Sequence, residues 1–113
     1  MSFLRYTLSV TRKRMLIEEH SLVQYYLGGK RDPPILKEEL WRNSDGKVTR
    51  YSLAYIDPLL FAGDNGRVLG YDNAHGRHHC HRMGVESEYE FRGYAEVLDR
   101  FEAEVEQLRR GND

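Results

Sequence analysis

Leu4, Tyr6, Leu8 and Val10 alternate with the polar residues Arg5, Thr7 and Ser9, the period of a half-buried strand. A second strand is expected over residues 22–27, where only Gln24 interrupts large side chains and Gly28-Gly29 ends the run. Residues 30–34 read as a loop, because the paired prolines remove amide donors and fix φ. The clearest local structure follows. Residues 35–42 and 47–56 flank Asn43-Ser44-Asp45-Gly46, in which Asp-Gly offers the positive φ of a hairpin turn. In the second arm Tyr51, Leu53 and Tyr55 share one face, opposite Arg50, Ser52 and Ala54. Residues 57–66 connect to a strand at 67–71, and short strands are expected at 78–83 and 88–91.

The periodicity then changes. Tyr94, Val97, Leu98, Phe101, Val105 and Leu108 recur at helical spacing, which predicts one amphipathic helix over residues 94–110. Gly93 suits its N-cap, Arg109 and Arg110 suit the negative end of its dipole, and Gly111 suits the residue beyond its C-cap. A helix with a single apolar stripe needs a sheet face to cover. The expected fold is α+β: an antiparallel sheet with a long C-terminal helix packed on one face.

Length holds this to one domain over residues 1–113, large enough for one modest core. With 40% hydrophobic and 31% charged residues the composition is that of a globular chain, which argues against wholesale disorder. Cys80 is the sole cysteine, so an internal disulfide is excluded and a reducing, cytoplasmic setting is expected. The N-terminal apolar stretch is short, interrupted by Arg5 and Thr7, and unlike a targeting segment, and no run is long enough to cross a bilayer. No membrane partner is therefore expected. The net charge of −1 hides an asymmetry: residues 1–31 carry six basic side chains against two acidic, and residues 84–113 four against nine. Such halves suit two surfaces with different partners, or two solvated faces.

Candidate chemistry is concentrated between Tyr71 and Arg82, which hold four of the five histidines. Imidazole is a poor strand former and costly to bury unpartnered, but it donates or accepts a proton near neutrality and ligates metals. Asp72-Asn73 followed by Gly76 reads as an Asx-type loop leaving a strand. On the strand after it, His79 and His81 fall on one face and His78, Cys80 and Arg82 on the other. His75 and Arg77 reach in from the loop. Two chemistries need such a set. In metal-free RNA cleavage one imidazole takes the 2′-hydroxyl proton, another group protonates the leaving oxygen, and arginines stabilise the phosphorane. In a zinc site, closely spaced His and Cys with Asp72 would be ligands. Adjacent strand residues splay, however, and C-x-x-C spacing is absent, so no metal and no cofactor are expected. Cys80 reads as a small packed residue. Tyr25, Tyr26, Trp41, Tyr51 and Tyr55 read as packing, and only Tyr71 stands beside the cluster.

The run Arg67-Val68-Leu69-Gly70-Tyr71-Asp72-Asn73-Ala74-His75-Gly76 with His79-x-His81 resembles the signature of the TumE family, toxin components of bacterial and archaeal toxin–antitoxin pairs. Tyr51-Ser52-Leu53-Ala54-Tyr55 and Phe91-Arg92-Gly93-Tyr94 are similar in order and spacing, and the resemblance covers residues 35–108. It implies a cognate antitoxin, often DNA-binding and encoded nearby. Residues 1–32 show no matching pattern, and Cys80 stands where a basic or polar residue is expected. Together these readings give a toxin-like, metal-independent endoribonuclease acting on RNA. His79, His81, Asp72 and Arg77 would be catalytic, and Tyr71, Asn73, His75 and Arg82 would bind substrate. A homodimer is left open. The rivals are a nucleic-acid or protein-binding module without turnover, and a metal-dependent hydrolase or sensor.

Overall fold

The computed structural model describes residues 18–111, so the strand expected around Leu4–Val10 lies outside the described residues. Six strands form one sheet in sequence order: β1 (Glu19–Tyr26), β2 (Ile35–Arg42), β3 (Val48–Ile56), β4 (Arg67–Asp72), β5 (His79–Arg82) and β6 (Val85–Glu88). Every neighbouring pair is antiparallel. One helix, α1 (Tyr94–Arg109), follows them. The α+β fold expected from the periodicities is the fold observed.

Local chemistry explains most boundaries. Asn43 closes the β2–β3 turn: its Oδ1 accepts the amides of Asp45 and Lys47 at 2.9 and 3.1 Å, and Gly46 takes φ 83°. β1 begins earlier than its apolar run because β2 offers partners as far as Arg42, opposite Glu19. The strand expected at 88–91 is displaced. Arg82 pairs directly with Val85, so Met83 and Gly84 are the entire turn, at φ 47° and 84°. Two consecutive positive φ values match the right-handed twist of the flanking strands, and the returning strand must therefore start at Val85. Residues 89–93 leave the sheet and lead into the helix.

Val97, Phe101, Val105 and Leu108 of α1 are buried, as are Leu40, Tyr51, Leu53, Tyr55, Leu69 and Tyr71 of the sheet. Burial of each such large side chain contributes roughly 1.5–3 kcal/mol, so this one layer carries the fold. The helix lies over β3 and β4. Tyr71 pairs with Cys80 and Leu69 with Arg82, so these residues share the helix-covered face. The alternate residues form the open face. There Asp72 stands between Ser52 and His79, and Gly70 between Ala54 and His81. Among the described residues no helix is long and apolar enough to cross a membrane.

Candidate active site

The site begins where β4 ends. Asp72 Oδ1 accepts the Ala74 amide at 3.0 Å, the expected Asx turn. Asn73 stitches this turn to β3, accepting the Tyr51 amide at 3.0 Å and donating to the Thr49 carbonyl at 3.1 Å. A short 3-10 turn, Ala74–Gly76, reverses the chain with His75 at φ 60°. β5 then returns beside β4, with His79 opposite Asp72 and His81 opposite Gly70.

That register brings two imidazoles to one carboxylate. His81 Nε2 lies 3.3 Å from Asp72 Oδ2, and His79 Nδ1 lies 3.8 Å from Asp72 Oδ1. The two rings are 6.1 Å apart between centroids. His79 is only 7% exposed, and its Nε2 is buried without a hydrogen bond. The Glu86 carboxylate stands 3.4 Å from that nitrogen but lacks the alignment of a hydrogen bond. A buried imidazole nitrogen without a hydrogen bond is costly, and the Glu86 carboxylate is the group placed to relieve it.

The other candidate residues divide. Arg77 and His75 are exposed at the rim, where Arg77 reaches Glu88 at 3.2 Å. Tyr71 and Arg82 are not brought to the cluster, because alternation sends them through the sheet to the helix side. Tyr71 donates to Glu104 at 2.7 Å and meets Phe101 edge-on. Burial first, and the Glu104 hydrogen bond second, hold its hydroxyl far above the ordinary tyrosine range. Cys80 shares that face, and burial pushes its thiol up, which disfavours the thiolate a nucleophile needs. His78 also turns away from the cluster. It stacks on Phe91 at 4.0 Å between ring centroids, and its Nδ1 lies 2.7 Å from the Tyr51 hydroxyl, which also bonds Tyr89. Burial, then the charge of His79, lowers the His78 pKa, so this ring is neutral and structural.

Glu86 and Glu88 do not stand out as site residues in the sequence. Their signal was the Met83-Gly84 turn, which sets Glu86 opposite His81 and Glu88 opposite His79. A polar groove of about 280 Å3 adjoins the cluster on the open face, lined by Lys37, Ser52, Ala54, Ile56, Asp64, Asn65 and Arg67. Its Ser52 and Ala54 neighbour Asp72 and Gly70 across β3 and β4. A larger groove of about 440 Å3 lies on the helix side, among Leu27, Leu36, Val105 and the end of α1, and contains no imidazole. Asp72, His79 and His81 also form a set that could hold a cation, each offering a donor atom within 4.8 Å of the others.

Comparison with curated proteins found no match, and comparison with solved structures found none. A model of the toxin TumE family matches residues 35–109, which span β2 to the end of α1 and include every residue of the cluster. The chain therefore belongs to the TumE toxin family.

Proposed function

We propose that this toxin is an endoribonuclease whose reaction centre is Asp72, His79 and His81, working by acid–base chemistry without a metal. The observation that carries the reading is the approach of two imidazoles on neighbouring positions of one strand face to a single carboxylate, with a polar groove beside them. One imidazole accepts the proton of the substrate's 2′-hydroxyl, and the 2′-oxygen attacks the adjacent phosphorus. The bond to the 5′-oxygen breaks, and the other imidazole returns a proton to that leaving oxygen. Asp72 orients both rings. Arg77 stabilises the added negative charge from the rim once it exchanges its surface partner Glu88 for phosphate. Lys37 and Arg67 in the groove meet the flanking phosphates.

The remaining residues support this arrangement. Asn73 shapes the loop, and His75 contacts the substrate at its edge. Tyr71 and Arg82 act from the opposite face, where Tyr71 ties the end of β4 to α1 through Glu104. Family membership implies an antitoxin partner. A DNA-binding antitoxin encoded beside the toxin, an RNA substrate and a cytoplasmic site of action complete the reading.

Purified protein should cut single-stranded RNA in the presence of chelator and leave 2′,3′-cyclic phosphate ends, and DNA should be inert. Induced expression without the antitoxin should arrest growth, and His81→Gln should relieve the arrest at equal expression. RNA that is bound but never cut would support a binding module instead, and DNA cut as readily as RNA would end the 2′-hydroxyl scheme.

A further inference from the structure

We infer that Asp72, His79 and His81 form a binding site for one zinc-type divalent cation, and that occupancy switches the toxin off. The inhibitory consequence rests on the acid–base reading above; the site itself rests on geometry alone.

Three donors of the right chemistry converge. Two imidazole nitrogens and one carboxylate oxygen suit zinc and its borderline neighbours, whereas magnesium and calcium prefer oxygen alone. Ligands at about 2.0–2.1 Å from a tetrahedral zinc stand about 3.4 Å from one another. His81 Nε2 and Asp72 Oδ2 are 3.3 Å apart, and His79 Nδ1 and Asp72 Oδ1 are 3.8 Å apart. The three donors all lie within 4.8 Å of one another, so binding requires the side chains to draw together around the ion. Splaying along β5 removes His78 and Cys80 from any such set, but it leaves these three on one face.

The surroundings favour a cation. With Nδ1 of His79 on the metal, its Nε2 must carry the proton. That nitrogen is buried and makes no hydrogen bond, and Glu86 stands 3.4 Å away. Aligning Glu86 would give the carboxylate–imidazole–metal relay that commonly fixes a metal-bound histidine. With Glu88 and Arg77 paired to each other, Asp72 and Glu86 remain as the acids facing the imidazoles, so a divalent ion would relieve local negative charge. Three protein donors leave a fourth position for solvent.

A bound cation occupies the imidazole lone pairs that acid–base cleavage requires. The loaded protein should therefore be inert and the stripped protein active.

The experiment uses the full chain, stripped with chelator and dialysed, and titrates zinc alone by calorimetry, with elemental analysis of the dialysed product. We expect about one zinc per chain. Asp72→Asn or His81→Gln should weaken binding at least ten-fold, Glu86→Gln by about 10–100-fold, and His20→Gln, remote on β1, not at all. Circular dichroism confirms that each variant is folded. RNA cleavage measured in parallel should fall on adding zinc and return with chelator. Absence of stoichiometric binding, or binding undisturbed in both folded Asp72 and His81 variants, overturns the site whatever the nuclease assay shows. Zinc that stimulates cleavage overturns the inhibitory role. Specific zinc binding in a protein that never cuts RNA upholds the site and sinks the acid–base reading.

Discussion

His81 Nε2 stands 3.3 Å from Asp72 Oδ2 across the β4–β5 pair, while His79 approaches the other oxygen of the same carboxylate. One acidic side chain thus serves two imidazoles, and it is itself fixed by the Ala74 amide. The two histidines should consequently behave as a unit rather than as independent contributors.

Asp72→Asn preserves an oxygen for the Ala74 amide but removes the charge that orients the rings. We expect it to lower RNA cleavage by about 10²–10⁴-fold, because rings no longer held in place lose the proton transfer they perform. His81→Gln should cost a similar factor, and the double variant should be about as slow as the slower single. Single-turnover rates for the three proteins test this. Fully multiplicative losses would mean that Asp72 and His81 act separately.

Arg77→Ala removes an exposed ion pair with Glu88, in which both side chains are more than half exposed. Its effect on the urea midpoint should correspond to less than about 1 kcal/mol, because water and salt screen such pairs. Cleavage should nevertheless fall by about 10²-fold or more if the guanidinium stabilises the phosphorane. Unchanged cleavage in Arg77→Ala would reduce the residue to a surface contact.

Tyr71→Phe deletes the hydroxyl that donates to Glu104 and leaves the ring against Phe101 and Tyr89. A loss of about 1–2 kcal/mol in unfolding free energy is expected, the cost of a charge-assisted hydrogen bond in a half-buried setting. Chemical denaturation measures it. A variant of parental stability would show that the bond to α1 contributes nothing to holding β4.

Much of this protein was determined by local sequence. The β2–β3 hairpin follows from Asn43 and Gly46, whose preferences act within four residues, and the α1 stripe from side chains one turn apart. Alternation alone divided His79 and His81 from His78 and Cys80, since strand geometry leaves no other choice. It also separated Tyr71 from Asp72, yet proximity in sequence made Tyr71 look like part of the site. Tertiary structure decided the rest. Which residue faces His79 depends on the register of β4 against β5, and that register is set by the intervening loop, itself anchored to β3 by Asn73. The position of Glu86 depends on Met83 accepting a positive φ, which its side chain does not advertise. The candidate cation site shows the same division: alternation along β5 excludes His78 and Cys80 as partners of His79 and His81, but the third donor, Asp72, comes from the neighbouring strand. Periodicity specifies the face of each side chain, whereas long-range pairing specifies its neighbours, and only neighbours make a site.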